Sequence, residues 1–154
     1  MTTGKRRRGG FTLIEVLIVV VIMAVLAATI IPQFSSSTND AKTSSLQFNL
    51  HSLRSQIELY KLNHNGALPQ LTNGTLPQLM AATDINGNIG VTGPTFPYGP
   101  YLLQQTLPAN PFTNVNTVTA TTSSPPTAPS GTGGWLYNTT TGQLYADQAN
   151  FLNY

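Results

Sequence analysis

Between Phe11 and Pro32 the chain carries a nearly unbroken apolar run, and this run limits what everything after it can become. From Val16 to Ile31 its only polar residue is Thr29. As an α-helix rising about 1.5 Å per residue, Phe11 to Phe34 reaches about 36 Å, more than the ~30 Å hydrocarbon core of a bilayer. The run is therefore expected to span a membrane. Lys5, Arg6, Arg7 and Arg8 stand before it, behind Gly9-Gly10, which assigns that end to the cytoplasmic side. One carboxylate, Glu15, interrupts the start of the run. A charge in hydrocarbon costs roughly 2.5–3.5 kcal/mol on insertion scales, so such an acid is a functional candidate whose partner must be found. The plainer reading has Glu15 reaching back to the headgroups beside Arg8.

Gly10-Phe11-Thr12-Leu13-Ile14-Glu15, the apolar run and Pro32 together resemble the class III signal of type IV pilins and type II secretion pseudopilins. The resemblance implies cleavage by a prepilin peptidase between Gly10 and Phe11, followed by N-methylation of Phe11. It makes Glu15 and the Phe11 amine the pair that guides subunit assembly, and Pro32 the residue that bends the helix. An ordinary secretory signal would be cut at a small-residue site such as Val25-Leu26-Ala27. The apolar run continues past that site to Ile31, and Glu15 has no place in such a signal. No Cys follows the basic patch, so a lipoprotein signal is excluded.

The formal charge is +2, but removing residues 1–10 takes Lys5, Arg6, Arg7 and Arg8 with it and leaves −2. The basic balance thus belongs to the leader and is no nucleic-acid footprint. From Leu62 to Tyr154 there is no Lys or Arg, and the acids are Asp84 and Asp147. Binding to nucleic acid is not expected there, since phosphate neutralisation needs cations. The absence of Cys rules out disulfide staples and thiol or Cys-zinc chemistry. Many type IV pilins carry a C-terminal disulfide loop while major pseudopilins commonly do not, so the resemblance leans to the pseudopilin side.

Beyond Pro32, a polar stretch from Ser35 to Ser45 leads to Leu46, Leu50, Leu53, Ile57 and Tyr60, spaced to fall on one helical face. Gln47, Asn49, Ser52, Arg54, Gln56, Glu58 and Lys61 form the solvated side. The helix is expected to end between Leu62 and Asn65, with Gly66 as its stop and Pro69 barring continuation. Pro32 lacks an N–H and crowds the carbonyl four residues back, so a kink is expected near Ala28. Leu53-Arg-Ser-Gln-Ile-Glu-Leu-Tyr-Lys-Leu-Asn-His-Asn-Gly-Ala-Leu-Pro69 is similar to the major pseudopilin pattern at the helix end.

Residues 66–100 are rich in Gly, Pro and Asn. They suggest one short helix, with Thr75 as N-cap and Leu76 to Ala82 as its body, and turns over Asp84-Ile-Asn-Gly-Asn-Ile-Gly90. That last stretch superficially matches the start of a calcium loop, but Ile89 stands where the loop needs Gly and Thr95 where it needs Glu. Leu107-Pro-Ala-Asn-Pro-Phe-Thr-Asn114 resembles the family's Leu-Pro-x-Asp-Pro-Trp-Gly segment, with Asn110 for the Asp and Phe112 for the Trp. Residues 113–132, dense in Thr, Ser and Pro, read as a solvent-exposed low-complexity loop. Gly134-Trp-Leu-Tyr-Asn and Gly142-Gln-Leu-Tyr-Ala on either side of a Gly-ended turn read as a hairpin, which also resembles the C-terminal hairpin of these proteins. The resemblance covers 9–69, returns over 101–114 and 134–147, and is absent over about 70–100 and 115–132.

Little here could carry catalysis. His51 and His64 are too far apart to ligate a metal from one helix face, and His51 follows Leu50 of the stripe as an ordinary, partly exposed helix residue. Glu58 and Lys61 make a weak i, i+3 pair. Asp84 and Asp147 could meet in the fold, but no motif joins them. No His–acid arrangement activates the abundant Ser and Thr. Asn73-Gly-Thr75 and Asn138-Thr-Thr140 are formal glycosylation sequons, not expected to be used in the prokaryotic cell that a pilin-type peptidase implies. The resemblance implies a calcium ion held by acidic residues near the C-terminal loop; this chain keeps few such acids, so no cofactor and no metal is expected.

The expected architecture is α+β in the pilin manner. Residues 1–10 form a cleaved leader, 11–34 the transmembrane and filament-core half of a long helix, and 35–65 its amphipathic half. Residues 66–154 form a loop-rich head with a small antiparallel sheet. The expected function is a filament-forming pseudopilin of type II secretion, drawn from the cytoplasmic membrane and not an enzyme. Its partners by resemblance are copies of itself, minor pseudopilins, prepilin peptidase and an inner-membrane assembly platform. The alternatives are a type IV pilus subunit for adhesion or motility, and a membrane-tethered binding module that never polymerises.

Overall fold

A 51-residue helix, α1 (Leu13–Asn63), dominates the computed structural model, which describes residues 10–154. The basic patch Lys5–Arg8 and Gly9 of the expected leader lie outside the described residues. The chain divides into two units, one ending at Ala41 and one running from Lys42 to Tyr154.

In the first unit, Leu13–Ile31 is long and apolar enough to cross a membrane. At about 1.5 Å per residue its 19 residues span about 28 Å. The Thr29 hydroxyl donates to Leu26 O at 3.0 Å and so satisfies its proton within the helix, as a hydroxyl among apolar residues must. Pro32 falls inside α1, which runs on through it.

In the second unit, the stripe of α1 is the core. Leu46, Leu50, Leu53, Ile57 and Tyr60 are all buried and pack with Leu76, Leu79, Leu107, Val118, Trp135, Tyr137 and Leu144. Each buried Leu or Ile contributes roughly 1.5–3 kcal/mol. His51 is exposed, as its place beside the stripe requires. α1 ends at Asn63 through left-handed Asn65 (φ 54) and Gly66 (φ 85), and the Gly66 amide donates back to Lys61 O at 2.8 Å. This C-terminal turn closes carbonyls that the helix leaves without partners.

The next segment differs in part from expectation. The short helix α2 (Pro77–Met80) is capped by Leu76, with no side-chain bond. Thr75 instead turns its hydroxyl to Thr72 O at 3.0 Å, so it closes a tight turn and does not serve as N-cap. β1 (Ala82–Thr83) and β2 (Ile89–Gly90) pair antiparallel about the Asp84–Asn88 turn. Gln78, nearly fully buried, ties α2 to this hairpin by donating to Gly87 O at 2.8 Å.

The main sheet has three strands. β4 (Trp135–Asn138) and β5 (Leu144–Ala146) form the antiparallel hairpin expected from the sequence. Its turn is held by the Asn138 side chain, whose Oδ1 accepts from the amides of Thr140 and Thr141 at 2.9 and 3.0 Å. β3 (Val118–Thr121) pairs parallel to β4, so the sheet is mixed and not purely antiparallel. β3 lies within 113–132, which therefore is not one solvent-exposed loop: Val118 is 3 % exposed and belongs to the core. The chain must approach closely to enter β4. A Cβ on Gly134 would stand 2.0 Å from Thr117 O, which leaves room for glycine alone.

β4 is buried on both faces. Trp135 and Tyr137 point to the core under α1, while Leu136 packs with Tyr145 and Leu152 on the other side, the alternation of a strand. The Trp135 indole donates to Pro108 O at 2.8 Å and the Tyr137 hydroxyl to Pro69 O at 3.0 Å, so neither buried polar tip is left unpaired. Burial, reinforced by the charge that the Tyr60 hydroxyl would carry, pushes the Tyr137 hydroxyl far above the ordinary phenol range.

Candidate assembly site

The start of α1 places the residues singled out in the sequence. Gly10, Phe11 and Thr12 precede the helix, with Phe11 86 % exposed. Thr12 is the residue before the first helical turn, and Glu15 is the third residue within it. The two exchange three contacts: the Thr12 amide and hydroxyl donate to Glu15 Oε2 at 2.8 and 2.7 Å, and the Glu15 amide approaches Thr12 Oγ1 at 3.4 Å. This is a capping box, in which the two side chains satisfy each other's backbone donors. A negative group in the first turn is also favoured by the helix dipole.

Glu15 was expected to need a partner from another chain or the headgroups, yet within a single chain Thr12 already supplies one. The signal was readable: Thr12-x-x-Glu15 ahead of an apolar run is the sequence mark of a capping box. Taken as a charge in hydrocarbon, Glu15 points only outward to a partner; taken as the third residue of a helix start, it points to Thr12. The side chains that follow, Val16 to Ile22 among them, are about half exposed and offer a bare apolar surface.

The remaining candidates fall elsewhere and do not converge. Glu58 and Lys61 form their expected pair at 2.9 Å on the solvated side of α1. His64 is buried where α1 ends, stacked on Tyr60 with ring centres 3.8 Å apart. Its Nδ1 faces Tyr60 O at 2.8 Å, so that nitrogen carries a proton, and Nε2 lies 3.0 Å from the Thr83 hydroxyl. Asp84 accepts from the Asn86 and Asn88 amides and the Asn88 side chain, all within its own turn. Among the described residues no three His, Cys, Asp or Glu come together to hold a metal. Asn138 of the second sequon is 1 % exposed, which closes it to a glycan.

A family model described as the prokaryotic N-terminal methylation motif matches residues 5–31. Over 105 residues the chain is 32 % identical to prepilin peptidase-dependent protein A of Clostridium perfringens, covering 68 % of this chain and 70 % of that one. It is 37 % identical over 70 residues to type II secretion system core protein G of Pseudomonas aeruginosa, covering 46 % of this chain and 49 % of the relative. A fimbrial protein of Neisseria meningitidis is 37 % identical over 78 residues, 51 % of this chain and 44 % of the relative. The chain thus spans less than half the length of the core protein G relative from Pseudomonas aeruginosa. No solved structure matches. An apolar helix opened by a single capped carboxylate, the methylation motif over it and a similarity that extends into the head lead to one assignment: the chain belongs to the type IV pilin-like family of prepilins, whose members are structural subunits.

Proposed function

We propose that the chain is a filament-forming pseudopilin of a type II protein secretion system, assembled from the cytoplasmic membrane with its head in the periplasm. The similarity to core protein G supports this over a surface pilus, and the observation that carries the mechanism is Glu15 in the first turn of an apolar helix. Cutting the Gly10–Phe11 bond, the task of a prepilin peptidase, creates an amine that is protonated at neutral pH and stays cationic when methylated. Before assembly the Thr12 amide and hydroxyl satisfy the Glu15 carboxylate, which lowers the cost of keeping it in the membrane. In a bundle of such helices the Phe11 amine of an adjacent copy lies within reach and offsets the remaining penalty of both charges. Breaking a buried pair of that kind costs roughly 3–5 kcal/mol, so the pair fixes register as well as stability. Pro32 bends the helix and lets the apolar half lie along the filament core. Minor pseudopilins and the inner-membrane platform would start and drive the growth.

The test is assembly in cells. Glu15→Val is expected to leave the subunit processed and inserted but to abolish or strongly slow filament formation, while Glu15→Asp stays partly active. Intact-mass measurement of membrane fractions should find wild type starting at Phe11 and Gly10→Val uncut. Filaments from Glu15→Val at the normal rate would sink the pairing role. Filaments reaching the outer surface under immunogold labelling at wild-type levels would favour the fimbrial reading that the Neisseria similarity allows.

A further inference from the structure

We propose that the loop between β3 and β4 is locked to the head by the Asp147 carboxylate, and that this lock stands where the resemblance implies a calcium ion, so that folding of this head does not need the cation. Asp147 follows β5 and is 3 % exposed. Its Oδ1 accepts from the Ser130 amide at 2.6 Å; its Oδ2 accepts from the Gly133 amide at 2.9 Å, the Thr132 hydroxyl at 3.0 Å and the Ser130 hydroxyl. The Asp147 amide in turn donates to Gly134 O at 3.1 Å. Burial on its own would push this carboxyl up, but the donors from Ser130, Gly133 and Thr132 outweigh it and hold it below the usual carboxylate range.

The Thr132 hydroxyl extends the lock into the sheet. Thr132 Oγ1 lies 2.8 Å from Thr119 Oγ1 of β3. Thr132 Oγ1 also lies 2.7 Å from Ser130 Oγ, so the two loop hydroxyls, Thr119 and Asp147 form one connected network. One carboxylate thus fastens the end of the loop and, through Thr132, the parallel strand β3.

A calcium ion does not fit this arrangement. It takes six to eight oxygen ligands, carboxylates foremost, whereas the groups around Asp147 present N–H and O–H hydrogens toward the place a cation would occupy. Asp84, the other acid beyond Leu62, already accepts three bonds in its own turn. The donors on Asp147 are neutral dipoles that do a cation's work: they favour the ionised carboxylate and hold a loop around it.

The lock is independent of the assembly reading; that it replaces a cation rests on the pseudopilin resemblance. The experiment uses the full processed chain in detergent, with Trp135 fluorescence for melting and amide hydrogen exchange read by mass spectrometry. Wild type is expected to melt at the same temperature in millimolar calcium and in excess EGTA. Asp147→Asn puts an NH2 among donors and should speed exchange over 130–133 at least tenfold, in either buffer. If that variant fails to fold, the double variant Ser130→Ala, Thr132→Val carries the test and should show the same faster exchange. A wild-type melting point raised by calcium, or unchanged exchange over 130–133 in whichever variant folds, overturns the proposal. Neither measurement depends on filaments, so failure here leaves the assembly reading standing, and the reverse holds too.

Discussion

Leu53 offers a direct test of what holds the head together. It sits mid-stripe on α1, is 1 % exposed, and belongs to the cluster that includes Trp135 and Tyr137. Leu53→Ala removes three carbons from that cluster, worth about 2.4 kcal/mol at ~0.8 kcal/mol per buried carbon. The cavity left behind adds to this, and the total should fall near 3–4 kcal/mol, inside the ~2–5 kcal/mol range for such truncations. For a domain of about a hundred residues each kcal/mol is worth about 4 °C in melting temperature, so a fall of about 12–16 °C is expected. The assay is built in: Trp135 is the chain's single tryptophan, is 0 % exposed, and shifts to the red when the head opens. Phe48 on the same helix is 73 % exposed, so Phe48→Ala should stay within about 0.5 kcal/mol of wild type. If Leu53→Ala melts with wild type, or Phe48→Ala falls as far as Leu53→Ala, the stripe is not the core and the argument from periodicity to packing fails.

Other perturbations follow from single contacts. Gly134→Ala would force a Cβ against Thr117 O, at the carbonyl that accepts the Trp135 amide at 2.9 Å; a loss of at least about 2–3 kcal/mol is expected, read by the same fluorescence melt. Because the Asp147 carboxyl is depressed in the fold, its contribution is full above the unfolded value of about 3.9 and disappears as pH falls through the lower folded value. Melting temperature should thus drop below about pH 4, and Asp147→Asn should flatten part of that drop. Tyr137 and Tyr60 run the other way: burial raises both hydroxyls, so the stability they hold is present below about pH 10 and lost as pH climbs beyond it. A pH titration of wild-type melting that stays level through either limit would contradict these assignments.

How far the sequence could be read depended on how local the determining physics was. The stripe Leu46 to Tyr60 and the stop at Gly66 were legible because helical periodicity and a left-handed glycine act within a few residues. The β4–β5 hairpin was legible for the same reason, its turn being closed by Asn138 within its own five residues. β3 was not. Val118–Thr121 lies in a Thr- and Ser-rich stretch, and its partner β4 is reached only across a long parallel connection, so nothing local marks it. The role of Asp147 was hidden likewise, since its donors sit on that connection. Thr75 shows the opposite case: a good capping residue stands just ahead of α2, but the turn with Thr72 takes its hydroxyl. At the candidate assembly site Glu15 stands out by its charge, whereas Thr12, one hydroxyl beside an apolar run, signals its role only through its spacing to Glu15.

With Asp147 buried and fully engaged, Asp84 is the one side chain left from Leu62 to Tyr154 that carries a formal charge toward solvent. The surface there is a mosaic of amide and hydroxyl dipoles. Counterions have almost nothing to screen on it, so whatever packs against it should bind much the same at low and high ionic strength. Water is the competitor instead. Osmolytes excluded from the protein surface favour a smaller exposed area, and so should tighten such packing where salt at low concentration does nothing.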